Sequence, residues 1–242
     1  MTEFNPAEYI NQLSIDCVIF GYKDNSLKVL IPRLIIAPEM GALPGGFIQK
    51  EESIDAAARR ILKDRTAIEH IYLEQFRVFG ESGRVNHEIN QLLKHANQAN
   101  LEKFPFGAEG VLQWLSSRFI SIGYYALVDI RQVNPTKNDL DVSVNWYSID
   151  QLPPLIMDHK EIILEGLKSL RQHLDEKLIA FNLLPETFTM RELQEVYEAV
   201  YDKPFARNNF QKKMLDLNVL ERLEKKFTGA ANKAPYLYRF RR

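Results

Sequence analysis

Leu43 to Ile68, LPGGFIQKEESIDAAARRILKDRTAI, is the stretch that most narrows what this chain can fold into. Pro44, Gly45 and Gly46 predict a tight turn, because glycine reaches backbone angles closed to other residues. Ser53 stands where a helix N-cap belongs. After it, Ile54, Ala57, Ala58, Ile61 and Leu62 recur at helical spacing as one buried stripe. The stretch therefore predicts a loop feeding a helix that packs by one face.

The order Gly46-x5-Glu52-x7-Arg60 resembles the opening of the Nudix box, G-x5-E-x7-R-E-U-x-E-E-x-G-U with U apolar. The resemblance implies that Glu52 and Arg60 pair to brace the loop on the helix, which makes Gly46, Glu52 and Arg60 structural. It also implies catalytic carboxylates at positions 61, 64 and 65, which lie i, i+3, i+4 on one helical face and together hold magnesium. This chain has Ile61, Asp64 and Arg65 there. One shortened carboxylate remains, beside a fixed positive charge that repels a dication at close range. Ala67 replaces the last glycine of the box. Hydrolysing a diphosphate needs a metal to neutralise the phosphates and activate water. The expectation is thus a preserved scaffold with no catalytic residues, no metal site and no cofactor.

Around the box, LSIDCVIFGY at 13–22 reads as a strand, 23–26 as its turn and LKVLIPR at 27–33 as the return strand. Further strands are predicted at 72–80, 118–130 and 142–149. After LeuProPro at 152–154, Asp158 and His159 precede a helix that runs from the GluIleIleLeu stretch to about His173. Met1 to Asn11 reads as a short helical or irregular lead-in. His159 is read either as a helix-start residue with a satisfied ring or as a ligand contact. Between 85 and 117 an ordered insertion is expected, containing HEINQLLKHANQANL and VLQWL. A connection this long inside a compact domain is usually functional; it is expected either to fold over the cleft or to build a dimer contact. His87 and His95 within it have no nearby Cys or paired acids, so no metal site is expected there.

At 242 residues and 45% hydrophobic content, the chain can bury one medium core and one small one. Its single Cys17 can make no internal disulfide, which fits a reducing, cytoplasmic setting. No apolar run approaches the roughly 18 residues of a membrane span, and the first residues lack the basic and apolar regions of a signal peptide, so no membrane partner is expected. The net charge of −1 conceals an asymmetry. Residues 203–242 hold eleven Lys or Arg against three Asp or Glu, a local +8 that leaves −9 for the remainder.

That basic end has its own pattern. After a link at 174–184, Thr189 and Glu192 form an S/T-x-x-E capping box, and Leu193, Val196, Tyr197 and Val200 continue an apolar helical face. AspLysPro at 202–204 makes a turn into a second helix, about 206–217, that buries Phe210, Met214 and Leu217. Residues 219–223 and 234–240 then pair as strands around a basic loop. Helix, turn, helix and hairpin within about sixty residues is a winged helix-turn-helix pattern. Arg207, Asn208, Gln211 and Lys212 are the residue types that read base edges, and Lys213, Lys225, Lys226 and Lys233 those that meet phosphates.

With FNLLPETFTMRELQEVYEAVYDKPFARNNFQKKM and the closing APYLYRF, nearly the whole chain resembles the Nudix-related transcriptional regulators of the NrtR type, apart from residues 85–117. The resemblance implies an α+β chain: a Nudix-fold α/β/α sandwich followed by a small winged helix-turn-helix domain. The expected boundaries are a lead-in at 1–12, an effector-binding domain at 13–175 and a DNA-binding domain at 181–242. It implies a homodimer on palindromic double-stranded operator DNA and a small-molecule effector: a sugar, a sugar phosphate or a nucleotide sugar such as ADP-ribose. Arg33, Glu52, Arg65, Arg84 and Arg118 are the candidate effector-cleft residues. Arg65 either stands in electrostatically for the missing metal or simply faces solvent. The family's regulators usually carry a tryptophan just before LPGGF, where this chain has Gly41 and Ala42, so the cleft entrance is expected to differ. Two other readings remain at this stage: a magnesium-dependent diphosphatase recruiting ligands from the insertion, and an adaptor whose winged helix contacts protein.

Overall fold

The run at 13–22 is apolar on both sides because it becomes the centre of a sheet covered on both faces. In β1 (Tyr9–Lys23), Ile15, Cys17 and Ile19 point into one core while Val18 and Phe20 point into the other. This is the two-residue alternation of a strand buried on both sides. Strand β6 (Ile120–Asp129) runs parallel to it and divides the same way: Ile122, Tyr124, Ala126 and Val128 to one face, Tyr125 and Leu127 to the other. The computed structural model describes residues 8–69, 71–82, 84, 117–174, 179–226 and 234–241. The insertion at 85–116 with His87 and His95, the wing tip with Lys233, and the first seven residues of the lead-in lie outside these.

The remaining strands are β2 (Ser26–Leu34), β3 (Ala37–Gly41), β4 (Gly45–Gln49), β5 (Tyr72–Phe79) and β7 (Asp141–Ser148). The order is β3-β2-β1-β6-β5, with β4 pairing on β1 and β7 on β2. Asp24 and Asn25, both at positive φ, make the two-residue hairpin turn between β1 and β2. Helix α1 (Ile54–Thr66) covers one face through Ala57, Ala58, Ile61 and Leu62. Helix α2 (His159–His173) covers the other through Ile162, Ile163, Leu167 and Leu170. The result is a helix/sheet/helix sandwich.

Two local expectations are corrected. Gly45 and Gly46 are not a turn but the start of β4, with Gly45 opposite Asp16 and Gly46 opposite Ile15. Neither has the positive φ that demands glycine; what they supply is room. A Cβ on Gly45 would lie 2.8 Å from the Ile15 carbonyl and the Asp16 carboxylate, and one on Gly46 would lie 2.9 Å from Ile61 Cδ1. The lead-in is already strand from Tyr9, which pairs with Gln49. Within the link, Ile179–Leu183 forms a 3-10 turn, and Ile179, Ala180, Leu183 and Leu184 are buried in the α2-side core.

That core continues into the C-terminal unit. Helix α3 (Met190–Tyr201) buries Leu193, Val196, Tyr197 and Val200, and helix α4 (Arg207–Asp216) buries Phe210 and Met214. Thr189 caps α3: its Oγ1 accepts from Glu192 N at 3.2 Å, and Glu192 Oε2 accepts from Thr189 N at 2.6 Å. Strands β8 (Phe188–Thr189), β9 (Leu220–Lys225) and β10 (Tyr236–Phe240) form a small antiparallel sheet in the order β8-β10-β9. Among the described residues no helix is long and apolar enough to cross a membrane.

Helix α1 ends on Ala67 in the left-handed region (φ 59, ψ 20), its N–H bonded to the Lys63 carbonyl at 2.8 Å. A Cβ disfavours that conformation by roughly 1–2 kcal/mol, and glycine avoids it. Ala67→Gly is expected to raise stability by about 1 kcal/mol after its larger unfolded-state entropy is counted, read as a higher urea midpoint at unchanged slope.

Candidate functional site

The β4–α1 corner is tied by one carboxylate. Glu52 accepts from Gln49 N at 2.8 Å and from Arg60 Nε and Nη2 at 3.1 and 2.5 Å, and Arg60 Nη2 also donates to the Phe47 carbonyl at 2.9 Å. Burial works to raise the Glu52 pKa, but the Arg60 and Gln49 hydrogen bonds outweigh it and hold the carboxyl below its usual range. The helical face beyond presents different chemistry. Ile61 is 4% exposed and seated against Gly46, whereas Asp64 is exposed. Arg65 is buried and ion-paired with Asp141 at the start of β7, which also accepts from Asn138 N at 2.8 Å. Arg65 therefore does not face solvent; its charge is matched by a buried carboxylate 76 residues away. A divalent cation does not fit this face, which offers an apolar side chain, one exposed carboxylate and a cation. Among the described residues no group of three or more His, Cys, Asp or Glu side chains is arranged to hold a metal.

Beneath the Leu43–Gly46 segment lies a buried polar network that periodicity gave no sign of. Arg84 Nε donates to Asp158 Oδ2 at 2.7 Å, Nη1 to the Phe119 carbonyl at 3.0 Å and Nη2 to Asp16 Oδ2 at 3.4 Å. Ser121 Oγ donates to the same Asp16 oxygen. His159 Nδ1 accepts from Leu43 N at 2.8 Å, which leaves its proton on Nε2, 3.9 Å from Asp16 Oδ1. Burial pushes the His159 pKa below 6.5 against the opposing pull of Asp16 and Asp158, so the ring is neutral. One of the two readings of His159 thus has its geometry: the ring sits at the helix start with Nδ1 already bonded.

The candidate effector residues fall into two groups. Arg84 and Arg118 meet around the 80–84 turn. Arg118 is exposed and donates to the Gly80 carbonyl, and the next residue, Phe119, accepts from Arg84. Beside them runs an aromatic row, Tyr9–Phe47 at 6.2 Å and Phe47–Phe119 at 5.4 Å between ring centroids. Arg33 and Arg65 instead border the start of β7. Arg33 Nε donates to Tyr147 Oη at 3.3 Å, its guanidinium lies 5.7 Å from that ring, and Nη1 donates to the Glu39 carbonyl.

In the C-terminal unit, Arg207 and Gln211, one turn apart on α4, line a groove of about 880 Å³ with Arg191, Gln194, Pro235 and Tyr236. Asn208 and Lys212 form the neighbouring exposed row. Three of the basic side chains assigned to phosphates make contacts within the chain. Lys213 Nζ lies 5.9 Å from the Tyr197 ring centroid, Lys225 Nζ lies 5.5 Å from that of Tyr236, and Lys226 Nζ pairs with Glu192 at 3.1 Å. Arg191 also lines the groove, and the sequence does not single it out, because around it α3 shows only a capping box and an apolar face.

Residues 180–240 match the NrtR DNA-binding winged helix domain. The chain is 24% identical to the ADPR responsive transcriptional repressor NtrR of Acinetobacter baylyi, over 99% of this chain and 86% of that one. Its fold superposes on Shewanella oneidensis NrtR with a TM-score of 0.69 at 25% identity, covering 96% of this chain and 94% of the other. It also superposes on a MutT/nudix family protein from Enterococcus faecalis with a TM-score of 0.66 at 19% identity, covering 100% and 89%.

Removing one member of a buried ion pair strands the other. Arg65→Met leaves Asp141 with a single backbone donor and is expected to destabilise the fold by about 3 kcal/mol. The check is chemical denaturation of Arg65→Met beside the double variant with Asp141→Asn, which recovers part of the loss.

Proposed function

We propose that this chain, a Nudix-related regulator of the NrtR type, is a repressor that binds operator DNA through its winged helix and is released when a small ligand enters its sandwich domain. The observation that carries the reading is the basic C-terminal unit, which matches a DNA-binding winged helix and joins in one chain a Nudix-fold sandwich whose catalytic face holds Ile61 and Arg65. Its recognition helix is α4. Arg207 and Gln211 approach bases from the groove side, Asn208 and Lys212 lie along the neighbouring row, and Arg191, Lys213, Lys225, Lys226 and Lys233 supply positive potential toward phosphates.

ADP-ribose is the effector proposed, on the strength of the Acinetobacter relative's ADPR response. Its chemistry suits the cleft: the aromatic row offers a ring face, and exposed Arg118 offers a cation to a diphosphate. In this reading Arg33 flanks the cleft, while Arg65, Arg84 and the Glu52–Arg60 pair hold its walls. The chain does not hydrolyse the ligand, because the face that carries the catalytic carboxylates in hydrolases has Asp64 alone. It acts as a homodimer in the cytoplasm, with two winged helices on two half-sites, and the ligand favours the arrangement that mismatches their spacing.

The experiment is binding to a labelled fragment of the gene's own upstream region, with unlabelled competitor, at several salt concentrations and with or without ADP-ribose. Specific binding whose log affinity falls steeply with log salt, by roughly 0.9 per phosphate neutralised, is expected, together with release by ADP-ribose and no magnesium-dependent turnover. Binding that ignores salt and sequence, or turnover abolished by Asp64→Ala, overturns the proposal.

A further inference from the structure

Helix α2 is bonded at one end to the segment that leads into the LPGG strand and at the other to helix α3 of the C-terminal unit. At its start, His159 Nδ1 accepts from Leu43 N at 2.8 Å; just before it, Gly41 N donates to Pro154 O at 2.8 Å and Ile156 N to Gly41 O at 3.0 Å. The segment leading into the LPGG strand and the segment leading into α2 therefore move together. Asp158, beside His159, is also held by Arg84, which reaches into β1 and the approach to β6. Twelve residues further along the helix, at Arg171, about 18 Å away at 1.5 Å per residue, α2 meets α3 end to end. Arg171 Nε donates to the Val200 carbonyl at 2.7 Å, and Tyr201 Oη donates to the Arg171 carbonyl at 2.9 Å. Both carbonyls lie in the last turn of their helix, where no intrahelical donor remains. Each helix thus completes the other's C-terminus.

The other flank of α3 is built differently. Between its exposed side and the β1–β2 hairpin lies an open cleft of about 650 Å³, lined by Asn25, Ser26, Asp150, Arg191, Glu195 and Glu198 among others. Helix α3 is thus pinned to α2 at its C-terminal end and has open space along this flank. The recognition helix follows α3, because Tyr197 packs on Phe210 at 5.2 Å and Gln194 and Glu198 bond the Phe205 backbone at 2.9 and 2.8 Å.

We infer that the Arg171–Val200–Tyr201 joint couples the two functions: a shift of the Leu43 segment on ligand binding passes along α2 as a rigid rod and turns α3, with α4, about this joint. Arg171 and Tyr201 are positioning residues, touching neither ligand nor DNA. The inference rests on the effector-responsive reading above and adds where the coupling is carried.

The test compares the upstream-fragment affinity with and without saturating ADP-ribose in wild type and in Arg171→Met/Tyr201→Phe, a pair that removes both hydrogen bonds and keeps the packed stems. Wild type is expected to show a ratio of about tenfold or more. In the variant that ratio should fall to about two, while ADP-ribose affinity and ligand-free DNA affinity each stay within about threefold of wild type. Tyr201→Phe alone, the milder change, should lower the ratio in the same direction and serves if the double variant unfolds. An unchanged ratio in a folded variant overturns the joint and leaves the regulator reading standing. A wild-type ratio of one overturns both.

Discussion

Everything in this molecule hangs on the parallel pairing of β1 with β6, because between Ile15 and Phe20 and between Ile122 and Val128 those two strands send side chains alternately into both cores. Ten consecutive residue pairs, from Leu13–Ile120 to Tyr22–Asp129, fix their register. A slip of one residue would exchange the α1-side and α2-side sets and place Asp16 and Ser121 in the wrong layer. In register, Asp16 and Ser121 lie under the Leu43–Gly46 segment, where they meet Arg84 and His159. The buried polar network and the seat of α2 are thus both set by backbone pairing in the centre of the sheet.

A second constraint is space. Gly45 lets β4 lie against Ile15 and Asp16 with no Cβ between them, and Gly46 lets Ile61 fill the place beside it. Once position 61 is an isoleucine buried against that backbone, the helix face that would hold metal becomes part of the hydrophobic core. Arg65 belongs to the same interior: its buried charge is balanced by Asp141. Ile61 and Arg65 are thus both buried, which leaves Asp64 as the exposed side chain among residues 61, 64 and 65. What persists of the box, the Glu52–Arg60 brace, is the part that shapes the corner.

The features readable in the sequence were local. The Thr189–Glu192 capping box, the α1 stripe, the β1 and β6 runs and the helix-turn-helix order each leave a signature within a few residues. The partners of the buried charges do not. Arg65 finds Asp141 and Arg84 finds Asp16 across spans of 76 and 68 residues, and neither pair leaves a periodic trace. The same holds for Arg171 and the Val200 carbonyl, which meet across 29 residues. The glycine pair misled because a permissive residue signals a turn and a close approach equally well. Within the link at 174–184, the sequence does not show that Ile179, Ala180, Leu183 and Leu184 belong to the α2-side core.

Coupling between ligand and DNA is reciprocal by thermodynamic necessity, and that gives the most direct test of the account. Calorimetric titration of ADP-ribose into the free protein, and into the protein saturated with its upstream operator fragment, measures the effector's affinity in both states. The account predicts weaker ADP-ribose binding in the DNA complex, by the same factor by which ADP-ribose weakens DNA binding. Equal ADP-ribose affinity in the two states would contradict it, whatever the strength of either interaction alone.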